Sequence, residues 1–286
     1  MMSTQIGSDD KFVTDSLLSK EQYDNFRDFL EDSCGIVLGD NKHYLVSSRL
    51  HRLMKEDNIP TLQALVDSLN RSLNSPLRTK VIEAMTTNET LWFRDTYPFQ
   101  VLSETIFNEY KQQRKNSIKI WSAACSSGQE PYSMSMIADE YAKKSPGFKL
   151  DVVATDISQA IINEAKQAKY DALALARGLS EERKRQYFSP VGDQWQVNAN
   201  IRSRVNFREI NLLQSYNSLG KFDAIFCRNV LIYFSAESKA DILTRMAQSL
   251  NPRGFLMLGA SESIAQYSDR FEMVRASTGV VYRLKP

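Results

Sequence analysis

The sequence predicts an α/β protein: an open, mostly parallel sheet preceded by a small helical domain and carrying a small antiparallel insertion. Three observations predict it. Helical periodicity without a convincing strand runs through residues 18–85. From Ile118 onward short apolar runs alternate with helical patterns, and the first of these runs passes through a cluster of small residues straight into a helix. With 286 residues, 42% hydrophobic and 24% charged, the chain is long enough for one large and one small domain, and a net charge of +2 argues against bulk affinity for nucleic acid.

The helical part begins where Ser19 and Gln22 form a capping-box pattern ahead of Tyr23, Phe26, Phe29 and Leu30 at helical spacing. A second helix follows Asp40 and alternates Tyr44, Leu45 and Leu50 with Lys42, Arg49, Arg52 and Lys55; a third covers 61–69 and a fourth 76–85. Residues 1–40 hold nine acidic and three basic side chains, whereas residues 41–80 hold seven basic and three acidic. Such a basic run is either a solvated helix face or a docking face for an acidic partner. The first sixteen residues are polar and acidic, and no apolar run of 18 residues occurs, so neither export nor membrane spanning is expected.

Residues 86–97, TTNETLWFRDTY, break the helical rhythm with polar groups, a cation and aromatics, and a helix over 97–115 leads into the first strand. Strands are expected at 118–123, 150–155, 205–209, 222–227, 254–260 and 279–284. The interval between the second and third is longer than a βα unit needs. Its excess, about 166–204, holds a helix near 180–187 and QWQVNANI, whose alternation predicts an antiparallel ribbon. No helix-length crossover precedes the last strand, which should therefore pair antiparallel. The expected domains are 1–85, a linker 86–97, and 98–286 with the insertion inside it.

The chemistry gathers at strand tips. After the first strand, Ala124 to Gly128 are small where a backbone could approach a ligand, and Glu130 and Pro131 open the next helix; Gly128 is the only glycine, and no GxGxxG is present. Asp156 ends the second strand, Asn211-Leu212-Leu213 the third, and Arg228-Asn229 follow FDAIFC. In a doubly wound sheet these tips line one crevice, although each Asp or Asn could equally cap a helix. Cys34, Cys125 and Cys227 are odd in number and far apart, which suits a reducing cytoplasm and neither a disulfide framework nor a metal site. His43 and His51 sit in the basic helix and read as surface or docking residues.

The ordered motifs WSAACSSGQEPYS, ATDIS, NLL, FDAIFCRNVLIYF and LNPRGFLMLGASE resemble the class I S-adenosylmethionine methyltransferases. TTNETLWFR ahead of them narrows the resemblance to the chemotaxis receptor methyltransferases, the CheR family, over roughly residues 15–284. The resemblance implies a Rossmann-like fold with a helical N-terminal domain. It also implies methyl transfer from S-adenosylmethionine to glutamate side chains of chemoreceptor cytoplasmic domains, with S-adenosylhomocysteine as product. The expected enzyme is a cytoplasmic monomer recruited to membrane receptor arrays.

Carried onto this sequence, the family pattern implies that Asn88, Thr90 and Arg94 face the cofactor, Arg94 pairing with its methionine carboxylate. Glu130 would hold the ammonium, Asp156 the ribose hydroxyls, and Asn211 with Leu212 the adenine edge. Asn229 and Val230 would border the sulfonium, with Tyr233 near the departing methyl. Arg94 and Tyr233 are thus the expected catalytic residues, and Lys42, Arg49, Arg52 and Lys55 the expected reader of acidic receptor helices. Two other classes stay open: a nicotinamide dehydrogenase, which should show a glycine fingerprint and a hydride-transfer acid, and an S-adenosylmethionine-binding regulatory protein without catalysis.

Overall fold

In the computed structural model, which describes residues 19–71, 76–276 and 278–286, the chain divides into two units between Thr87 and Asn88. The polar N-terminal stretch lies outside the described residues. The first unit is helical, with α1 (Lys20–Cys34), α2 (His43–Glu56), α3 (Leu62–Arg71) and α4 (Pro76–Met85). The Ser19–Gln22 capping box forms, and Gly35, at φ 79°, ends α1 in the left-handed conformation that glycine adopts without strain. Phe26, Leu30, Val46, Leu50, Leu65 and Val81 are wholly or almost wholly buried, which explains why these apolar stripes commit to helices packed on one another.

The second unit opens with a helical stretch predicted as one helix but built as α5 (Tyr97–Val101), a π turn (Leu102–Ile106) and α6 (Phe107–Gln112). In order follow β1 (Ser117–Ala123), α7 (Gln129–Lys144), β2 (Lys149–Asp156), α8 (Gln159–Gln167), β3 (Lys169–Tyr170), α9 (Ala172–Ala176) and α10 (Glu181–Tyr187). Then come β4 (Phe188–Val191), β5 (Gln194–Val197), α11 (Ala199–Arg202), β6 (Val205–Glu209), β7 (Phe222–Cys227), α12 (Ala236–Ser249), β8 (Leu250–Leu258), β9 (Phe271–Arg275) and β10 (Val280–Leu284).

The main sheet has the order β6-β2-β1-β7-β8-β10-β9. Pairs from β6 to β8 are parallel, and β10 runs antiparallel to both β8 and β9. The antiparallel last strand was legible; its outer partner β9 was not. A second sheet, β3-β5-β4, is the insertion. Along β7 all six residues are buried, with Ala224 and Phe226 in the layer shared with α7 and Ile225 and Cys227 in the layer shared with α12. Helices thus cover both faces, the condition under which a parallel strand is buried along its length, and the one polar residue of β7, Asp223, accepts from the Lys119 amide and from Asn251 Nδ2, each at 2.8 Å.

Candidate functional site

Strand order reverses at β1. The chain leaves it for β2 on one side and returns as β7 on the other, with Ala123 beside Cys227, and loops diverging at such a switch point leave a crevice. The loop after β1 is bent by left-handed backbone at Ala124, Ser126 and Gly128 (φ 58°, 50° and 94°). In that bend the Ser126 amide donates to Asp156 Oδ2 at 2.8 Å, while its hydroxyl donates to the Asn88 carbonyl at 2.8 Å. Gly128 serves packing. A Cβ there would meet Ala165, Tyr132 and Tyr170 at 3.2 Å, so the side-chain face of this glycine lies against protein.

Asp156, 6% exposed, accepts a second bond from the Ser158 amide at 3.2 Å. Burial lifts its carboxyl above the ordinary value and the backbone donors oppose the lift. Its carbonyl receives the Ile210 amide at 2.9 Å, which ties the end of β6 to the end of β2. Just beyond, Asn211 Oδ1 accepts from the Leu213 amide at 2.9 Å, and Leu212 is buried in the α12-side core.

Across β1 stands a charge cluster. Glu130, in the first turn of α7, accepts from the Ser122 hydroxyl at 2.7 Å and from Arg228 Nη1 at 2.9 Å. Arg228 is the residue whose role the sequence did not reveal. Its side chain is 2% exposed, and its Nη2 reaches Asp95 Oδ2 at 2.6 Å and the Arg94 carbonyl at 2.8 Å. It thereby pins residues 88–97, in which Phe93, Asp95 and Thr96 take left-handed φ of 50°, 66° and 53°. Strained backbone of this kind persists only where its surroundings enforce it. Arg94 is half-buried, donates to the Glu89 carbonyl at 3.2 Å, and lies close enough to Glu130 to favour that acid's charged form. Asn88 is exposed and Thr90 half-buried in the same loop.

The turn after β7 completes the rim. Asn229 is left-handed (φ 57°), and its Oδ1 is buried without a hydrogen-bond partner among the described residues. Val230 and Tyr233 are half-buried, and the Tyr233 hydroxyl has no partner among the described residues. Hydrogen bonds through Ser126 therefore link Asn88 to Asp156, charge links Arg94 to Glu130, and the Ile210 amide on Asp156 brings Asn211 to the same set of strand tips. Ser122, Asp95, Arg228 and Ser126 join them without having been predicted. Of these, only Arg228 carried a signal, a cation directly after a wholly buried strand whose one polar residue is Asp223.

Lys42, Arg49, Arg52 and Lys55 belong to the other unit, and they are not four equivalent cations. Arg49 donates to the Met85 and Thr86 carbonyls and to Thr87 Oγ1 at 2.8 Å, so it closes the carboxyl end of α4 and is not free to read a partner. Lys42, Arg52 and Lys55 are exposed, Arg52 in an ion pair with Glu56 at 2.7 Å. His43, expected at the surface, stacks on Tyr23 with ring centroids 3.7 Å apart. Burial pushes the Cys34 thiol up to about 11 and those of Cys125 and Cys227 well above their ordinary value, which leaves no thiolate nucleophile among them.

Two family models match: "CheR methyltransferase, SAM binding domain" over residues 88–280 and "CheR methyltransferase, all-alpha domain" over 21–86. The chain is 52% identical over 268 residues to the chemotaxis protein methyltransferase Cher2 of Pseudomonas putida, covering 92% of this chain and 98% of that one. It is 50% identical over 276 residues to chemotaxis protein methyltransferase 1 of Vibrio cholerae, covering 96% and 100%. Among solved structures it is similar to the magnesium protoporphyrin IX methyltransferase of Synechocystis PCC 6803, at a TM-score of 0.41 and 13% identity, covering 96% and 100%, a likeness too weak to carry an argument. The strand-tip crevice and the two matched domains together make this chain a member of the CheR methyltransferase family, with an all-helical domain followed along the chain by an S-adenosylmethionine-binding sheet domain.

Proposed function

We propose that the chain methylates glutamate carboxylates on the cytoplasmic helices of chemoreceptors, forming methyl esters, as a monomer recruited from the cytoplasm to receptor arrays. The observation that carries the site reading is a charge pattern that fits an amino-acid zwitterion. Acidic Glu130 and basic Arg94 act on one another in a crevice whose far side offers the acceptor-only carboxylate of Asp156. Arg94 then suits the methionine carboxylate, Glu130 the ammonium and Asp156 the ribose hydroxyls, with Asn211 and Leu212 at the adenine edge. Asn88 and Thr90 line the loop side. Asn229 and Val230 border the sulfonium, and the orphaned Asn229 Oδ1 supports a ligand there, because a buried acceptor without a donor is costly.

When bound, S-adenosylmethionine supplies a sulfonium-borne methyl that passes to a carboxylate oxygen, the electron pair of the broken bond remaining on sulfur. The chain's own residues need no general base, since the acceptor is ionised near neutral pH. What they contribute is alignment and exclusion of water. Tyr233, whose hydroxyl has no partner among the described residues, would orient the acceptor carboxylate, and Ile232 beside it would be an exposed apolar contact for a helix. Nothing in the comparisons favours a binding protein without catalysis.

The test uses radiolabelled S-adenosylmethionine and a receptor cytoplasmic fragment. Label should enter the receptor and leave as methanol in mild alkali, as methyl esters do. Label stable to alkali would overturn the assignment to glutamate.

A further inference from the structure

Glu262 stands in the turn after β8, at the end of LGASE, and its carboxylate is caged by backbone amides. Its Oε2 accepts from Asn229 at 2.7 Å and Gly259 at 2.8 Å; its Oε1 accepts from Val230 at 3.1 Å and Ile232 at 3.3 Å. The Glu262 amide closes the turn on the Gly259 carbonyl at 3.0 Å. Three of the four caging donors belong to the turn after β7. Gly259 is part of the fit: a Cβ there would come within 2.8 Å of both Asn229 Nδ2 and Glu262 Oε2.

The cage selects a carboxylate. All four partners are donors, and only an acceptor with two equivalent oxygens satisfies them; a carboxamide would turn its own N–H groups toward two of them. The turn so held is the one that carries Asn229 in left-handed backbone, Val230, and then Tyr233. We propose that Glu262 is a positioning residue for methyl transfer. It fixes the backbone from which Asn229 and Tyr233 project, and acts on turnover without touching cofactor or substrate. This inference rests on the placement of those two residues in the site above.

Glu262→Gln keeps the shape and removes the charge; Glu262→Ala leaves a donor-lined hole that formate can fill. Turnover, the Michaelis constant for a receptor fragment and the affinity for S-adenosylhomocysteine are measured for both, with Tyr233→Phe in parallel. Turnover should fall by about 10- to 100-fold, the cost expected of a misplaced site, whereas affinity for S-adenosylhomocysteine, which lacks the sulfonium that Asn229 and Val230 border, should fall by about threefold at most. Formate should restore turnover in Glu262→Ala and leave Glu262→Gln unchanged. Glu262→Gln turnover within about twofold of wild type, an equal loss of turnover and affinity, or a Glu262→Ala defect that formate leaves untouched each overturns the proposal. Should Glu262→Ala fail to fold, the split between turnover and affinity in Glu262→Gln decides alone. If Tyr233→Phe is also fully active, the fault lies in placing this turn at the site; if Tyr233→Phe is impaired and Glu262→Gln is not, the fault lies with Glu262.

Discussion

Glu130 has to carry charge where the surroundings resist it. Burial lifts its carboxyl above the ordinary 4.5, and Arg228 leads the opposing pull, with Ser122 and Arg94 adding to it. Breaking a buried pair of this kind from one side costs roughly 3–5 kcal/mol, so Arg228 is a fixture of the site. The raised value fixes the sign of the pH dependence. The folded protein holds a proton on Glu130 more readily than the unfolded chain does, so its ionisation costs stability, a cost that sets in as pH rises past 4.5 and is complete above the folded value. Binding moves the other way, since only the charged acid pairs with an ammonium. Affinity for S-adenosylhomocysteine is expected to be level near neutrality and to fall as pH drops through the window above 4.5. Glu130→Gln should bind more weakly at neutral pH and lack that part of the slope, which isolates it from the raised Asp156. Calorimetric titration of both proteins checks this, and identical slopes would remove Glu130 from the binding set. Both acids were legible by position, Glu130 opening the helix that follows the small-residue loop and Asp156 ending β2. Arg228 was visible only as a position, its partners lying 98 and 133 residues away where no local pattern records them.

Among the elements, the insertion does more than sit on the sheet: it grips the loop that carries Arg94. The Trp92 amide donates to the Arg177 carbonyl at 3.0 Å, and the buried Trp92 ring stands edge-on to Tyr170 of β3 and Phe188 of β4, with centroids 4.9 and 5.3 Å away. Arg183 of α10 lies 3.9 Å from the Phe93 ring centroid, and Arg177 pairs with Glu89 at 2.8 Å. Gly178 is the tightest point, for a Cβ there would fall 2.1 Å from the Trp92 carbonyl oxygen on a backbone at φ 94°. Gly178→Ala should therefore displace the loop, costing roughly 1–2 kcal/mol of backbone strain alone and weakening S-adenosylhomocysteine binding about tenfold or more. Unchanged affinity in a calorimetric titration would show that the loop tolerates the shift. The sequence betrayed the insertion through surplus chain between β2 and β6, but not what it packs against, because that contact joins residues some 80 positions apart. β9 escaped for a different reason. It is a five-residue outer strand in which only Phe271 is fully buried, too weak an alternation to separate from a loop. The π turn inside residues 97–112 left no mark either, since apolar positions continue through it.

For the molecule as a whole, charge segregation along residues 1–80 raises the question of what the helical unit recognises. The structure divides the basic surplus into cations that build the unit and cations that are left over. Arg49 closes α4, Arg78 donates to the Leu69 carbonyl and to Ser33, and Lys80 pairs with Asp57. Lys42, Arg52 and Lys55 remain exposed, Arg52 in a surface i,i+4 pair with Glu56, within about 140° of one another around α2 at 100° per residue. A glutamate-rich receptor helix presents carboxylates to which such a row is complementary, through a contact that salt screens. Each exposed pair is worth roughly 0.2–1 kcal/mol, and reversing two cations exchanges attraction for repulsion. The double variant Arg52→Glu with Lys55→Glu is therefore expected to raise the Michaelis constant for receptor about tenfold and to flatten its dependence on ionic strength. Turnover at saturation and S-adenosylhomocysteine affinity should hold. Arg49→Glu should behave differently, lowering the melting temperature of the helical unit by stranding the carbonyls of Met85 and Thr86. Steady-state kinetics at two salt concentrations, read beside thermal unfolding, separate the two roles. An unchanged Michaelis constant in the double variant would make the row a solvated face and move receptor recognition elsewhere on the chain.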